Sequence, residues 1–272
     1  MTIGKFMAGG LMALCLGAGA APSVLAQQQQ QQSHKSGWYG SLGGSLGFRS
    51  DSNNSGALTG DFTTGAGTNI PAGTVLDSGT ALGWNTEYDT GFGLNGAVGY
   101  RLGNGFRVEA ELAYFDNDVD LHNGLTAGAN ALDGEDAGVL TTGSANVGAT
   151  VGSVIADGRG STSILAPMLN AYYDFNLDSP LKPYLGGGIG WAMTDVEFNP
   201  SGVDIADDDD DSFAWQLKGG LTFDVSNRVE LFAEYRYFNG GDANVDLNLL
   251  PASLDVENEI HSVGVGLRFN LY

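Results

Sequence analysis

The sequence predicts an all-β fold: an eight-stranded antiparallel up-and-down transmembrane β-barrel with long extracellular loops and short periplasmic turns. Three observations carry this. Eight stretches alternate apolar and polar residues with a period of two. The links between them alternate short and long without exception. The charges inside the stretches fall on one parity, opposite a stripe of apolar and aromatic residues.

The first predicted strand, Trp38 to Arg49, sets Trp38, Leu42, Leu46 and Phe48 against Tyr39, Ser41, Ser45 and Arg49. The second, Thr90 to Leu102, sets Phe92, Leu94, Val98 and Tyr100 against Asn95, Ala97 and Arg101. The third, Phe106 to Phe115, opposes Val108, Ala110 and Leu112 to Arg107, Glu109 and Glu111. The fourth, Ser163 to Asn176, opposes Leu165, Leu169 and Tyr173 to Asn170, Tyr172 and Asp174; Pro167 lacks an amide hydrogen for the ladder, which predicts a bulge or a late start there. In the fifth, Lys182 to Thr194, Leu185, Ile189, Trp191 and Met193 face away from a lane of Tyr184, Gly186, Gly188, Gly190 and Ala192. The sixth, Phe213 to Asp224, opposes Trp215, Leu217 and Leu221 to Gln216, Lys218 and Thr222. The seventh, Val229 to Phe238, opposes Leu231, Ala233, Tyr235 and Tyr237 to Glu230, Phe232, Glu234, Arg236 and Phe238. The eighth, Ile260 to Leu271, opposes Val263, Val265, Leu267 and Phe269 to Ser262, Gly264, Gly266 and Arg268.

The tight links are LGNGF, NLDSPLK and DVSNR, and the longest of the others runs from Asp116 to Thr162. In an up-and-down barrel this places every tight turn at one rim and every long loop at the other, the layout of outer-membrane barrels. A soluble barrel of the lipocalin kind has the same strand count but the opposite facing, with an apolar interior. Glycines crowd the charged parity, and aromatics on the apolar parity gather near strand ends, as girdles at two lipid interfaces do. The membrane orientation follows. The expected lumen network is Arg49, Arg101, Arg107, Glu109, Glu111, Lys218, Glu230, Glu234, Arg236 and Arg268. An eight-stranded barrel is only wide enough to be filled by side chains, so these charges are expected to pair and close the lumen.

Residues 1–26, with Lys5 ahead of a Gly/Ala/Leu/Met-rich run and Val24-Leu25-Ala26 at its end, read as a cleaved secretory signal peptide. Residues 27–36 read as a polar Gln-rich lead-in, and 37–272 as the barrel. Removing the leader takes the formal charge from −21 to −22 and removes Cys15, the one cysteine. Disulfide-stapled folds are thereby excluded, and nucleic acid is no partner for so acidic a chain.

The stretches PYLGGGIGWA, ELFAEYRYF, MLNAYYDF and VGVGLRFNLY resemble the eight-stranded outer-membrane protein β-barrel family, the porin-like and surface-antigen relatives of the OmpA barrel. The resemblance runs from about Trp38 to Tyr272. It implies an outer-membrane location and passage through the barrel-assembly machinery. Phe269 and Leu271 hold the lipid-facing register, whereas Tyr272 sits one residue past it.

Little in the chain points to catalysis. His34 falls in the lead-in, His122 in the second long loop, and His261 beside Ser262, so that pair faces opposite sides of a strand. Asp116, Asp118 and Asp120 fail as an EF-hand, because Leu121 stands at the sixth position and Ala127 at the twelfth. The run Asp207, Asp208, Asp209, Asp210 and Asp211 reads as a solvated acidic loop, with loose divalent-cation binding that bridges to lipopolysaccharide as its alternative. No enzyme activity, cofactor or built metal site is expected. Membrane lipid is the expected surrounding, and the chain is expected to act as a monomer. Because the lumen is expected to be filled, the expected role is structural or surface-interaction (envelope integrity, adhesion or surface antigen), displaying acidic loops to an unidentified host or cell-surface ligand, with a small porin-like channel for ions or polar solutes as the alternative.

Overall fold

The computed structural model describes residues 36–177 and 179–271, so the predicted leader, His34 and Tyr272 lie outside the described residues. Eight long strands make up the barrel: β1 (Gly37–Arg49), β2 (Gly91–Arg101), β3 (Phe106–Ala127), β4 (Gly160–Asp174), β5 (Leu181–Phe198), β6 (Ala206–Asp224), β7 (Val229–Asp246) and β8 (Ala252–Asn270). Each pairs antiparallel with the next in the chain, and β1 pairs with β8, so the ladder runs round in an unbroken ring. A ring has no edge strand, so the backbone groups of the lipid-facing half pair between neighbouring strands.

The apolar parity faces outward. Leu42 is 66 % exposed, Leu169 68 %, Val265 61 % and Trp191 61 %. Ring pairs stand at both ends of this band. Trp38 packs on Tyr100 at 5.2 Å and Phe106 on Tyr173 at 5.0 Å on the tight-turn side; Phe92 meets Tyr114 at 6.1 Å and Trp215 meets Tyr237 at 5.2 Å on the other. Rings with an apolar body and a polar edge suit the two lipid-water boundaries.

Pro167 lies inside β4 opposite Leu112. The register against β5 is the same before and after it, so neither the bulge nor the late start occurs. The proline removes a donor from the ladder without shifting it.

The strands do not stop where the lipid stops. β3 has 22 residues, β6 and β8 have 19, and β5 and β7 have 18, against the ~9–11 that cross a bilayer. β1 and β2 continue, after short breaks, as the strands Ser52–Leu58 and Ala81–Tyr88. These pair with each other and bridge β8 to the far half of β3. What the sequence reads as four long loops is therefore largely an upward extension of the same sheet.

Above the lipid band the faces exchange roles. In β5 the inner residues Val196 and Phe198 are buried while Asp195 and Glu197 on the outer face are exposed. In β8, Leu254 and Val256 are inside, and Asp255 and Glu257 outside. β7 needs a correction of phase to do this: a register shift between Asn239 and Asp242, with Gly241 at φ 71°, turns Ala243 and Val245 inward. Val196, Phe198, Val245, Leu254 and Val256 join Leu58, Leu82, Trp84, Val119 and Leu132 in an apolar core that belongs to the extension alone.

A short helix, Val151–Ile155, and a 3-10 turn, Ala137–Leu140, cover the top of that core with buried apolar residues. Asp136 accepts the backbone N–H groups of Gly138, Val147 and Gly148, and Glu135 accepts those of Asn69 and Ile70. These bonds favour the charged forms and hold both carboxyls below the usual range.

The run Asp207 to Asp211 lies in β6 and is not a loop. Its ladder partners are Met193 to Glu197 of β5. On the other side the Asp208 and Asp210 carboxylates accept the N–H groups of Asp246 and Asn244, each at 2.8 Å, where backbone pairing with β7 has ended. Asp116, Asp118 and Asp120 likewise lie in a strand, β3. Among the described residues no group of three or more His, Cys, Asp and Glu is placed to hold a metal ion.

Candidate functional site

The barrel lumen holds the densest chemistry of the molecule, and alternation explains why. Every second residue of a strand points inward, so eight strands deliver their polar parity to one narrow space. Small residues make room for large ones there. A side chain at Gly186 would collide with the Tyr172 ring, and one at Gly188 with the Asn170 amide.

At the tight-turn end, the Glu230 carboxylate takes Arg101 at 2.6 Å and Arg268 at 3.1 Å, and also accepts a hydrogen bond from Asn270. Beside it, Arg107 donates to Asp174 at 3.0 Å, lies 3.4 Å from Glu109 and stacks 3.6 Å above the centre of the Tyr172 ring. The Tyr39 and Tyr172 hydroxyls donate to the two oxygens of Glu109, at 2.9 and 3.0 Å.

One level up, Glu111 is the hub. It pairs with Lys218 at 2.7 Å and Arg236 at 2.5 Å, and accepts from the side-chain amides of Asn170 and Gln216. Glu234 lies 3.4 Å from Lys218 and 3.6 Å from Arg236 and accepts from the Tyr184 hydroxyl. Arg101, Arg107, Lys218, Arg236 and Arg268 thus meet Glu109, Glu111, Glu230, Glu234 and Asp174, and the charges balance. In so dry a place each ion needs its partner, and here each has one.

Above the charges sits an apolar layer of Ala113, Phe115, Ile164, Ala166, Met168, Ala192, Ala214, Phe238 and Ile260. Phe115 and Phe238 meet there at 5.0 Å. A void beside Phe232, Glu234 and Arg236 measures about 10 Å³, room for about one water. The lumen is filled in two layers, one ionic and one apolar.

Arg49 departs from the expected network. It is buried at the level above the apolar layer and, among the described residues, reaches no carboxylate. It donates to the Glu257 carbonyl at 2.8 Å and to the Asn258 side chain, and lies 4.4 Å above the Tyr88 ring centre. Its position at the end of β1 lifts it past the charged layer. Conversely, Asp174, Tyr39, Tyr172, Tyr184, Asn170 and Gln216 belong to the network and are missing from the predicted set. All share the parity of the charges, which was the signal available to find them.

His261 packs between Tyr235 and Tyr237 on the outer face, and Ser262 is buried in the lumen, so the two point apart. His122 is not in a loop: it lies in the upper half of β3, buried, with its ring against Trp84 and Phe198.

Comparison with known proteins agrees with this architecture. The family model described as "Outer membrane protein beta-barrel domain" matches residues 13–269. A protein named "Outer membrane protein" of Gluconacetobacter diazotrophicus is 27 % identical over 162 residues, 55 % of this chain and 36 % of its own length. An uncharacterised protein of Brucella abortus is 27 % identical over 198 residues, 63 % of this chain and 66 % of its own. The chain thus spans between about a third and two thirds of these relatives. Among solved structures, outer membrane protein OprG of Pseudomonas aeruginosa is similar at 17 % identity and a TM-score of 0.48, over 88 % of this chain and 98 % of that one.

Proposed function

From the premise that the chain belongs to the outer membrane protein β-barrel family and resides in the outer membrane, we propose that it is a structural and surface-interaction protein, not a conduit. The carrying observation is the filled lumen. The Glu111 cluster spans the barrel from β3 to β6 and β7, and the Phe115–Phe238 contact closes the space above it. A permeating ion would have to separate charge pairs that have no solvent to replace the lost partner, which is costly.

What the molecule presents instead is an acidic outer surface above the lipid, built on paired strands. Asp195, Glu197, Asp207, Asp209, Asp255 and Glu257 all project from paired strands. Such a surface repels anions and favours cationic partners, with the strength of the attraction falling as salt rises. One chain closes its own barrel, so a monomer suffices for insertion, with lipopolysaccharide around its outer rim and the assembly machinery as its route in.

Planar-bilayer recording of purified, refolded protein tests this reading. No discrete openings above baseline are expected in molar KCl. Steady, sizeable openings would establish the small-channel alternative and remove the proposal.

A further inference from the structure

Above the lipid the wall of the barrel is interrupted between β6 and β7. The two strands pair directly from Asp224–Glu230 up to Trp215–Asn239. Beyond that pair β6 continues to Ala206 against β5, and β7 continues to Asp246 against β8, but they do not resume their ladder with each other. The pairing ends where the register of β7 shifts, after Asn239. A seam is left between two strand edges. It is closed below by the Ser212 hydroxyl donating to the Gly240 carbonyl, and above by the Asn248 N–H donating to the Ile205 carbonyl at 2.8 Å.

Carboxylates stand where ladder bonds would be. Asp208 accepts the Asp209 N–H at 3.0 Å with one oxygen and the Asp246 N–H at 2.8 Å with the other; Asp210 does the same for Asp211 at 2.9 Å and Asn244 at 2.8 Å. A residue in a strand turns its N–H and its C=O to the same edge. Asp209 and Asp211 on one side, and Asn244 and Asp246 on the other, therefore aim both backbone groups into the seam. All four are exposed. Strand edges of this kind are templates for pairing with another chain, and barrels ordinarily abolish them by closure.

The side chains around the seam determine what fits it. The outward residues along both edges include Asp207, Asp209 and Asp211 on β6 and Asp242 and Asp246 on β7. Neither these segments nor residues 194–198 of β5 and 252–259 of β8 beside them contain a Lys or Arg. Behind the seam Ala206, Ala243 and Val245 are buried. We propose that the seam is a docking site for an extended segment of a partner protein in which basic residues alternate with small apolar ones. Its backbone takes over the N–H and C=O groups of the two edges, its apolar residues face the core of the extension, and its cations meet the outer aspartates and the released Asp208 and Asp210 carboxylates. The proposal rests on the surface-interaction reading and gives that reading a place and a partner chemistry.

The test uses the full mature chain in nanodiscs of zwitterionic lipid and two capped peptides. One alternates lysine and valine; the other has the same sequence with alternate backbone nitrogens methylated, which keeps the charge and removes donors from the ladder. The first is expected to bind saturably by fluorescence anisotropy and to slow hydrogen exchange at the Asp209, Asp211, Asn244 and Asp246 amides. The methylated peptide is expected to bind about tenfold or more weakly, through its lost backbone bonds. Asp207→Asn with Asp211→Asn is expected to weaken the first peptide about tenfold, and Asp116→Asn with Asp118→Asn, the same charge removed from the outer face of β3, by less than about twofold. Gel mobility before and after boiling verifies that each variant is folded. Equal affinity of the two peptides, equal losses in the two pairs of variants, or binding without slowed exchange at the four amides would each reduce the contact to charge attraction and overturn the proposal. Calcium chloride slowing the same amides without peptide would assign the seam to a metal ion and overturn it too. An absence of saturable binding would overturn it while leaving the filled lumen, which bilayer recording tests, as it stands.

Discussion

The half of each strand that lies in the lipid and the half that rises above it obey the same alternation and bury opposite chemistries. β8 shows this within one element. Val263, Val265 and Leu267 face outward over Ser262, Gly266 and Arg268 in the lumen, while a few residues earlier Asp255 and Glu257 face outward over Leu254 and Val256. The backbone is the same; the solvent has changed from hydrocarbon to water. Apolar side chains go outside where outside is lipid and inside where outside is water, so the face of a strand is determined by its surroundings and not by its pattern.

The comparison is broken most severely by removing the hub of the lower half. Glu111→Gln leaves Lys218 and Arg236 without their nearest carboxylate, and the barrel should lose about 3–5 kcal/mol, measured by reversible urea unfolding in bilayers. The same change at the upper outer face, Glu257→Gln, should stay within about 0.5 kcal/mol. Equal losses at the two sites would show that the lower charges are as solvated as the upper ones.

A second contrast exchanges the outer faces. Ala233→Arg puts a charge in the lipid-facing band and should cost about 2–4 kcal/mol of insertion near mid-bilayer. Asp255→Arg, on the water-facing continuation of the neighbouring strand, should be nearly neutral. If Ala233→Arg inserts as well as the parent, that residue does not meet hydrocarbon.

These contrasts separate what could be read in the sequence from what could not. The eight membrane strands were legible because period-two hydrophobicity, Gly lanes and end aromatics coincide in them. The lumen charges were legible for the same reason: a single parity carries them, and only Arg49, lifted past the others at the end of β1, lies apart. The extension was hidden. Val196 and Phe198 between acidic residues do alternate, but a run such as Asp207 to Asp211 has the composition of a loop. The register shift after Asn239 breaks the phase of β7. The strands Ser52–Leu58 and Ala81–Tyr88 owe their conformation to partners far away in the chain, β8 and β3, which no local pattern announces. His122 belonged to no motif, and only the fold brings its ring against Trp84 and Phe198.

A smaller effect sharpens the contrast through pH. The pKa of His122 is lowered from 6.5 to about 4 in the folded extension by burial, with Asp157 acting weakly the other way. The unfolded state therefore binds the proton more readily between those values. Stability of the extension is full above the unfolded pKa, declines as pH falls through that window by about 3 kcal/mol at most, and levels off below the folded pKa. Amide exchange in Ala81–Tyr88 should follow this decline, and His122→Gln should flatten it. A profile unchanged by that substitution would assign the pH response to other groups.

The exchange of faces itself is tested most directly by spin labels placed one at a time along β8, since the described residues contain no cysteine to interfere. Labels at Val265 and Leu267 should collide with oxygen dissolved in the bilayer, labels at Asp255 and Glu257 with a water-soluble nickel complex, and labels at Leu254 and Val256 with neither. Nickel access at Leu254 and Val256 equal to that at Asp255 would show that the upper half encloses no core and would contradict the exchange.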